Sequence, residues 1–259
     1  MREQNIHLKT SLEVERMRRP ARLVESILSS LEDLMEEGVT TGDIAAFCSK
    51  RIEAGWAASS AKGYKGFPAT ICTSLNNVAV HGIPGDVSLR TGDILTVDIS
   101  LNIDGWHGDS ARTYVVGTGS EDIMRLQKAA RAATEAGIRA ARAGKRIGDI
   151  GWSIEKTARR WGCSVIEAFA GHGIGLELHE DPLVLPTGEK STGIPIVPGM
   201  VFTIEPVLTL GCGTVTPLGD GWSFITADGS FAAQYEHTVA IFSSRTEVLT
   251  DSSLTFHFS

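Results

Sequence analysis

The chain has 259 residues, of which 42% are hydrophobic and 21% are charged, a composition typical of a globular protein with enough apolar residues for a core. Its formal net charge of −7 gives no reason to expect nucleic acid as a partner. No apolar run approaches the ~20 residues that a membrane span needs. Four cysteines without CxxC spacing fit a reducing compartment, so the sequence predicts a cytoplasmic protein with no membrane partner.

Helices and strands alternate in blocks along the chain. The spacing of apolar residues predicts a first helix over 11–37, interrupted near Pro20 because proline lacks the N–H of a helical hydrogen bond. Further helices are predicted over 41–54, 120–144 and 147–162. Strand-like runs lie at 69–82, 93–116, 164–171, 200–210 and 232–242. This order predicts an α+β fold built on a largely antiparallel sheet.

Two short segments in the chain resemble each other. TGDILTVD (91–98) and PGMVFTIE (198–205) share a glycine, two apolar residues, a threonine, an apolar residue and a final acid. Each segment follows a predicted helix pair, which indicates a duplicated α+β unit whose final acids, Asp98 and Glu205, face one central site. We therefore expect a flexible segment over 1–10 and a single domain over 11–259, with internal halves at roughly 11–117 and 118–250.

The segment ILTVDISLNIDGWHGDSART (94–113) places two aspartates in a run that otherwise alternates like a half-buried strand. Asp104-Gly105 is a strong signal for a two-residue hairpin loop, and such a loop puts Asp98 opposite Ala111. Asp109 then lies diagonal to Asp98 at roughly 7–8 Å on the same face, close enough for both carboxylates to hold a pair of cations. The alternative to a cation site is that this face of the hairpin is exposed to solvent and that the two aspartates are ordinary surface residues. The opposite face is apolar: Val97, Ile99, Leu101 and Ile103.

Further acids and histidines lie outside the expected pattern. Glu205 in MVFTIEPVL and Glu236 in AAQYEHTVAI stand within apolar runs, and Pro206 removes the next ladder donor after Glu205. Three histidines end strands or lie beside glycine-rich turns: His81, His172 and His179. Carboxylates with an imidazole suit a pair of first-row divalent ions rather than a structural zinc site. Two such ions about 3.5–4 Å apart can activate water for hydrolysis.

Five separated motifs carry a resemblance to a known family. In their order and spacing, HGIPGD, VDISLNIDGWHGDSA, GHGIGLELHE, FTIEP and QYEHT resemble the motifs of methionine aminopeptidases of the shorter, type I class. The resemblance runs over residues 12–249, nearly the whole chain. It implies the pita-bread fold, in which two α+β halves are related by a pseudo-twofold axis around a central antiparallel sheet.

The resemblance also implies roles for individual residues. Two divalent ions, whose identity (cobalt, manganese, iron, nickel or zinc) the ligand types do not decide, would be held by five side chains: Asp98, Asp109, His172, Glu205 and Glu236. Asp109 and Glu236 would bridge the ions, Asp98 would complete one, and His172 and Glu205 would complete the other. Glu205 also resembles the proton shuttle of the family. His81 and His179 would contact the scissile peptide bond and stabilise the tetrahedral intermediate.

The side chain of an N-terminal methionine would enter an apolar pocket with aromatic edges. Five residues match the pocket wall of the family: Tyr64, Phe67, Cys72, Leu178 and Trp222. Leu178 stands where many members have an aromatic residue, and Ala61 where some have cysteine, so both changes make the wall more aliphatic. The alternative is that the three aromatic residues are plain core. His107 and His237 neighbour site acids, but strand alternation sends them to the opposite face, and no direct role is assigned to them.

The implied activity is removal of the initiator methionine from polypeptides with a small second residue. The partners would be nascent polypeptide N-termini, with docking at the ribosome left open, and the protein would act as a monomer. Because Arg2 is large, the chain would keep its own Met1. Two alternatives stay open. One is an aminopeptidase of the same fold that cleaves Xaa-Pro bonds, whose members usually carry a sizeable N-terminal domain. The other is a non-catalytic binding protein on the same scaffold, whose members lose metal ligands that this chain keeps.

Overall fold

Two consecutive pairs of α-helices are separated by strands in the computed structural model, which describes residues 5–258. The four α-helices of this range are α1 (Ser11–Ser30), α2 (Thr41–Ala54), α3 (Glu121–Ala140) and α4 (Ile147–Arg160). The side chains of Thr10, Thr40 and Ser120 accept the free N–H groups of the first turn of α1, α2 and α3. None of the described helices is long and apolar enough to cross a membrane.

Sixteen strands lie in the remaining described chain, and their pairing is antiparallel. The strands of the first half are β1 (Ala58–Ser59), β2 (Cys72–Leu75), β3 (Val78–Val80), β4 (Ile94–Ile103) and β5 (Trp106–Val115). Those of the second half are β6 (Ser164–Val165), β7 (Gly171–Gly173), β8 (Glu180–Val184), β9 (Val201–Ile204), β10 (Val207–Thr209), β11 (Val215–Pro217), β12 (Phe224–Thr226), β13 (Ala232–Gln234), β14 (His237–Ile241), β15 (Arg245–Val248) and β16 (Thr255–His257).

Each half contributes one larger sheet. In the first half β4 pairs with β5 on one edge and with β2 and β1 on the other. In the second half six strands follow the order β16-β15-β14-β9-β7-β8. Two three-stranded sheets, β13-β10-β6 and β11-β12-β3, complete the arrangement. The fold is α+β, as predicted from the order of elements.

A helix pair covers one apolar sheet face in each half. Buried side chains of α1 and α2 pack with Leu95, Val97 and Ile99 of β4. Buried side chains of α3 and α4 pack with Phe202 and Ile204 of β9 and with neighbouring strands. This repetition of a helix pair on a sheet agrees with the duplicated unit predicted from the two similar segments.

The first helix runs through Pro20 without interruption, so the predicted break near that residue is wrong. The reason is tertiary packing. A Cβ atom at Gly108 of β5 would lie 2.7 Å from the Ala21 nitrogen and 2.8 Å from the Pro20 carbonyl carbon, so the helix backbone rests directly on the hairpin. Burial of Val14, Met17 and their apolar neighbours on this face outweighs the one hydrogen bond that proline removes.

The same helix ends at Ser30, seven residues before the predicted end at Glu37. The Leu28 carbonyl accepts the Tyr114 hydroxyl at 2.5 Å and the Leu31 N–H at 3.2 Å. These two donors take the place of the N–H that would continue the α-helix. A 3-10 turn over Glu32–Leu34 follows.

Four of the strand runs predicted as continuous are divided in the structure. The runs over 69–82, 164–171, 200–210 and 232–242 each contain parts of two strands. In the run over 200–210 the division falls at Glu205-Pro206, which confirms that pairing is disturbed beyond Glu205. In the run over 232–242 it falls at Tyr235-Glu236.

The residues before the first helix contact the body of the protein from residue 5 onward. The Asn5 N–H donates to Asp181, and the Lys9 N–H donates to the Gly199 carbonyl at 2.7 Å. The Lys9 ammonium is buried and paired with Glu180. Residues 1–4 of the predicted flexible segment, and with them the predicted retention of Met1, lie outside the described residues.

Candidate active site

The β4–β5 hairpin brings Asp98 and Asp109 to one face, in the predicted register. Asp98 pairs with Ala111 and Asp109 pairs with Ser100, so the two aspartates lie diagonal to each other. Both line a cavity of about 210 Å³. The hairpin loop is Asp104-Gly105, with both residues at positive φ, as a type I′ turn requires. The opposite face of the hairpin is buried core.

Glu205 and Glu236 lie where the chain passes from one sheet to another. Strand β9 belongs to the six-stranded sheet, and β10, directly after Glu205-Pro206, belongs to the sheet with β13 and β6. The chain makes the reverse passage between β13 and β14, at Tyr235-Glu236. Because β9 pairs with β14 and β10 pairs with β13, both passages lie side by side. We call these two segments the crossover seam.

The crossover seam adjoins the hairpin. The Glu236 N–H donates to the Ala111 carbonyl at 2.9 Å, and the Ser110 hydroxyl donates to the Glu236 carbonyl at 2.5 Å. The Thr238 hydroxyl donates to the Asp109 carbonyl at 2.7 Å. These bonds fix Glu236 and the start of β14 against the hairpin, and both glutamates line the same cavity as the aspartates.

His172, on β7 of the six-stranded sheet, is the fifth side chain of this group. Its Nε2 lies 3.4 Å from Glu205 Oε1 and 3.8 Å from Asp109 Oδ2. Its Nδ1 lies 3.0 Å from the Gly173 carbonyl, which places the ring proton on Nδ1 and leaves Nε2 free to bind a cation. One ligand atom each of Asp109, His172 and Glu236 lies within 4.8 Å of the others.

Glycines on both sides of His172 let β7 lie close to its neighbours. A Cβ atom at Gly171 would lie 2.4 Å from the Thr203 carbonyl oxygen, and one at Gly173 would lie 2.1 Å from that of Asp181. The GHG sequence is therefore needed for β7 to fit between β8 and β9.

Burial and mutual repulsion raise the pKa of every carboxyl group in the site. Burial raises the pKa of Asp98 to about 7 and that of Glu205 to about 8. Burial, together with the charges of neighbouring acids, raises the pKa of Asp109 and Glu236 well above the usual range. Four carboxylates on one cavity cannot all be ionised at neutral pH without cations between them.

The donor set fits a metal centre. Glu236 Oε1 is buried and has no hydrogen-bond partner among the described residues. A buried carboxylate oxygen without a donor is costly unless a cation faces it. Hard carboxylate oxygens with one imidazole nitrogen suit first-row divalent ions.

Thr203 connects the Glu205 side chain with the backbone of His172 and was not singled out by the sequence. This fully buried residue donates its hydroxyl to Glu205 Oε1 at 2.6 Å and accepts the backbone N–H of His172 at 2.9 Å. Ser100 was also missed, although it lies two residues after Asp98 and so shares its face. Both positions could have been found from strand alternation around the acids.

His179 and His81 line the cavity beside the acids. The His179 ring lies on that of His172 with centroids 4.1 Å apart. Burial lowers the pKa of His179 to about 3, with the neighbouring charge of His172 next in size, and burial also lowers the pKa of His81. Both imidazoles are neutral at pH 7. His81 adopts a φ of 58°, a left-handed conformation that is uncommon outside glycine and recurs at functional sites.

The expected pocket residues also line this cavity: Tyr64, Phe67, Cys72, Leu178 and Trp222. Phe67 meets Trp222 edge to face with ring centroids 5.1 Å apart. Cys72 lies opposite Asp98 in the β2–β4 ladder. The three aromatic residues therefore face the cavity. Ala61 and Lys65 line it as well.

His107 and His237 face away from the cavity, as strand alternation predicted. His107 Nδ1 lies 2.7 Å from the Ser60 hydroxyl, and His237 Nδ1 lies 3.0 Å from the Thr250 hydroxyl. Neither residue lines the cavity that holds the acids.

Comparison with known proteins identifies the family. The sequence pattern of metallopeptidase family M24 matches residues 15–242 of the chain. The chain is 41% identical to methionine aminopeptidase A of Synechocystis over 95% of its length and 97% of that protein, and 40% identical to methionine aminopeptidase of Clostridium acetobutylicum over 95% and 98%. The crystal structure of methionine aminopeptidase from Rickettsia prowazekii superposes with a TM-score of 0.94 at 36% identity, over 95% of this chain and all of that one.

The chain therefore belongs to metallopeptidase family M24. Within this family, the resemblance to type I methionine aminopeptidases and the pita-bread fold are both confirmed. The prolidase of Pyrococcus furiosus shares the fold at a TM-score of 0.74, but with 21% identity and over 65% of its own length. Proteins that act on Xaa-Pro bonds are thus more distant relatives than the methionine aminopeptidases.

Proposed function

We propose that the chain is an aminopeptidase that removes N-terminal methionine from polypeptides whose second residue is small. The observation that carries this proposal is the convergence of four carboxylates and His172 on one cavity that also has an apolar, aromatic wall. The family membership supports a metal-dependent hydrolase, and the methionine aminopeptidases among its relatives support the substrate.

We assign two divalent ions to the acids and His172. Asp109 and Glu236, which belong to different halves, are suited to bridge the ions. Asp98 would complete one ligand set, and His172 with Glu205 would complete the other. When bound, the ions supply Lewis acidity toward a peptide carbonyl and lower the pKa of water.

Glu205 is suited to hold and deliver a proton. Its carboxylate lines the cavity and lies 3.4 Å from His172 Nε2, so it is close to the place where the peptide bond would be broken. The departing amine needs one proton to leave, and Glu205 faces the cavity in which that amine would lie.

His179 and His81 would bind the scissile peptide bond. Both rings are neutral because their pKa values are lowered, so each can donate one N–H to a peptide oxygen without adding charge. Hydrogen bonds of this kind gain strength as negative charge develops on that oxygen. The role is therefore to orient the carbonyl and stabilise the tetrahedral intermediate.

The apolar wall would hold the methionine side chain. Phe67 and Trp222 line the cavity and meet each other edge to face, and Leu178 and Cys72 are buried against it. An unbranched thioether fits such a wall because sulfur makes favourable contacts at aromatic edges. The free α-amino group would lie toward the acids, which supply the opposite charge.

The substrates would be the N-termini of nascent polypeptides in the cytoplasm, and the protein would act as a monomer. Four unpaired cysteines support a reducing compartment. A formal net charge of −7 supports action without nucleic acid as a direct partner.

The test is activity on a Met-Ala-Ser peptide after chelation and then after re-addition of manganese, iron, cobalt, nickel or zinc singly. We expect no methionine release after chelation and recovery with at least one ion. Met-Arg-Ser serves as a matched peptide with a large second residue and should stay intact. Cleavage of Xaa-Pro peptides with Met-Ala-Ser left whole would replace the proposal by the first alternative. Calorimetry that detects no binding of any divalent ion would favour the non-catalytic alternative.

A further inference from the structure

Lys65 differs in charge from the other ionised groups that line the cavity. The acids there are Asp98, Asp109, Glu205 and Glu236, and Lys65 is the one lysine or arginine among the lining residues described. It belongs to a short 3-10 turn over Tyr64–Gly66 and is exposed to solvent. Its φ of 48° lies in the left-handed region, which lysine rarely adopts.

A row of neighbouring groups leads from the buried acids to this lysine. His172 lies beside Glu205 and Asp109, and the His179 ring lies against that of His172, tilted by 41°. The Tyr64 ring stacks on His179 with centroids 5.0 Å apart, and the Lys65 ammonium lies 5.2 Å from the centroid of the Tyr64 ring. The row runs outward from the interior, since His172 is buried, Tyr64 is half-buried, and both His179 and Lys65 are exposed. Lys65 therefore marks the mouth of the cavity.

The row also sets a distance along a bound peptide. If the scissile bond lies at His179, the two steps of 5.0 and 5.2 Å reach the Lys65 ammonium. An extended chain advances about 3.3–3.6 Å per residue, so these steps correspond to at most about three residues. The third or fourth residue of a substrate would then pass the ammonium.

We propose that Lys65 selects substrates with an acidic side chain at the third or fourth residue, and this inference rests on the proposed function. Two divalent ions would neutralise the four carboxylates of the site, so the Lys65 ammonium would be the charge nearest the mouth that the described lining residues leave uncompensated. It offers an ion pair to a carboxylate of the bound peptide. An exposed pair of this kind is weak and is screened by salt.

The test compares three peptides: Met-Ala-Ser-Glu-Ser, Met-Ala-Ser-Lys-Ser and Met-Ala-Ser-Ser-Ser, with a second set that carries the charge at the third residue. We expect kcat/KM to be about threefold to fivefold higher for an acidic peptide than for its basic counterpart, through KM, and the ratio to approach one at 1 M salt.

Two variants keep the left-handed backbone, because asparagine and aspartate tolerate it. Lys65→Asn should bring the acidic-to-basic ratio close to or below one, and Lys65→Asp should invert it. Lys62→Asp is the matched control, since Lys62 is exposed on the same loop but does not line the cavity, and it should leave the ratio unchanged.

The outcomes separate this inference from the proposed function. Release of methionine from the neutral peptide with no charge preference at either position would overturn the role of Lys65 alone. An equal shift in Lys62→Asp would also overturn it, because a general surface field would then explain the preference. Failure to cleave any of the peptides with metal present would instead overturn the proposed function.

Discussion

The two faces of the β4–β5 hairpin use the same backbone ladder for opposite purposes. On one face Val97, Ile99 and Leu101 are fully buried against α1 and α2. On the other face Asp98 and Asp109 share a cavity with two further acids, and their pKa values are raised. The apolar face gains free energy from burial, whereas the site face loses free energy until cations neutralise it. Residues that stabilise the hairpin and residues that form the site therefore alternate along the same two strands.

The largest effect is expected from the site face. Asp109→Asn should lower kcat/KM by about 10²- to 10³-fold, because loss of a bridging carboxylate removes several kcal/mol of transition-state stabilisation. The metal-free variant should be at least as stable as the parent, since one of four repelling carboxyl groups is gone. Steady-state kinetics and urea unfolding in chelator measure the two quantities.

A matched control for Asp109→Asn lies in the hairpin loop. Asp104 is exposed and pairs with Arg19 at the surface, and its positive φ suits asparagine. Asp104→Asn should leave kcat/KM unchanged. If Asp109→Asn instead destabilised the metal-free protein and kept the activity, the assignment of stability to the apolar face and of catalysis to the site face would be wrong.

The apolar face should give the converse result. Ile99→Ala should lower the free energy of unfolding by about 2–5 kcal/mol, because it leaves a cavity between the hairpin and α1. The kcat/KM of the folded fraction should stay within about twofold of the parent, since no side chain on this face reaches the site. Ile99→Val provides a graded control at about 0.5–1.5 kcal/mol. Loss of activity in step with cavity size, at a temperature where the variants remain folded, would contradict the separation.

A third prediction extends the comparison to the second half. Thr203→Val keeps the shape of the buried side chain but removes the hydroxyl that connects Glu205 and His172. We expect metal affinity to fall by about 10- to 100-fold, the usual range for a group that orients metal ligands. Thr203→Ser keeps the hydroxyl and should retain affinity within a few fold. Calorimetric titration with a single divalent ion measures both variants, and equal losses would mean that the methyl group, not the hydroxyl, matters.

The comparison of the halves shows what could be predicted from the sequence. In the hairpin, the Asp104-Gly105 turn and strict alternation are local, so they determined the register and the face of Asp98 and Asp109 without further information. In the second half the positions of Glu205 and Glu236 depend on which sheet each strand joins. Those sheets are built from strands distant in sequence. Pro206 indicated disturbed pairing beyond Glu205, but the run around Glu236 was predicted as unbroken, and the passage between sheets was predicted at neither glutamate.

Errors in the predicted helices have the same origin. The continuity of α1 at Pro20 and its end at Ser30 follow from contacts with Gly108 and Tyr114, both on the hairpin. Local helix propensity disfavours a helix that continues through Pro20, and it gives no signal for an end at Ser30. The motifs indicated which residue types belong to the site, but packing between distant segments decides how they meet.

The smallest predicted effect is a pH dependence that distinguishes the two faces in metal-free protein. In the unfolded chain Asp98 and Glu205 have ordinary pKa values near 4, whereas in the folded chain burial raises them to about 7 and about 8. A carboxyl group with a raised folded pKa contributes stability at low pH and loses it as pH rises through the folded value. Asp98 and Glu205 together should therefore lower the free energy of unfolding by about 1 kcal/mol between pH 7 and 8, and Asp109 and Glu236, whose pKa values are also raised, should add to the fall.

The buried histidines do not cancel this trend above pH 7. Burial lowers the pKa of His172 to about 4 and that of His237 to about 4, so both rings are neutral in the folded state and nearly so in the unfolded state. Urea unfolding in chelator at pH 7 and pH 8 measures the slope. Asp98→Asn should make the slope shallower by removing one titrating group and its repulsion on the others, and Asp98→Asn combined with Glu205→Gln should reduce it further, whereas Ile99→Val should lower stability equally at both pH values. A slope that stays unchanged in the double variant would place its source outside these acids, and a slope that saturating divalent metal leaves unchanged would mean that cations do not neutralise them.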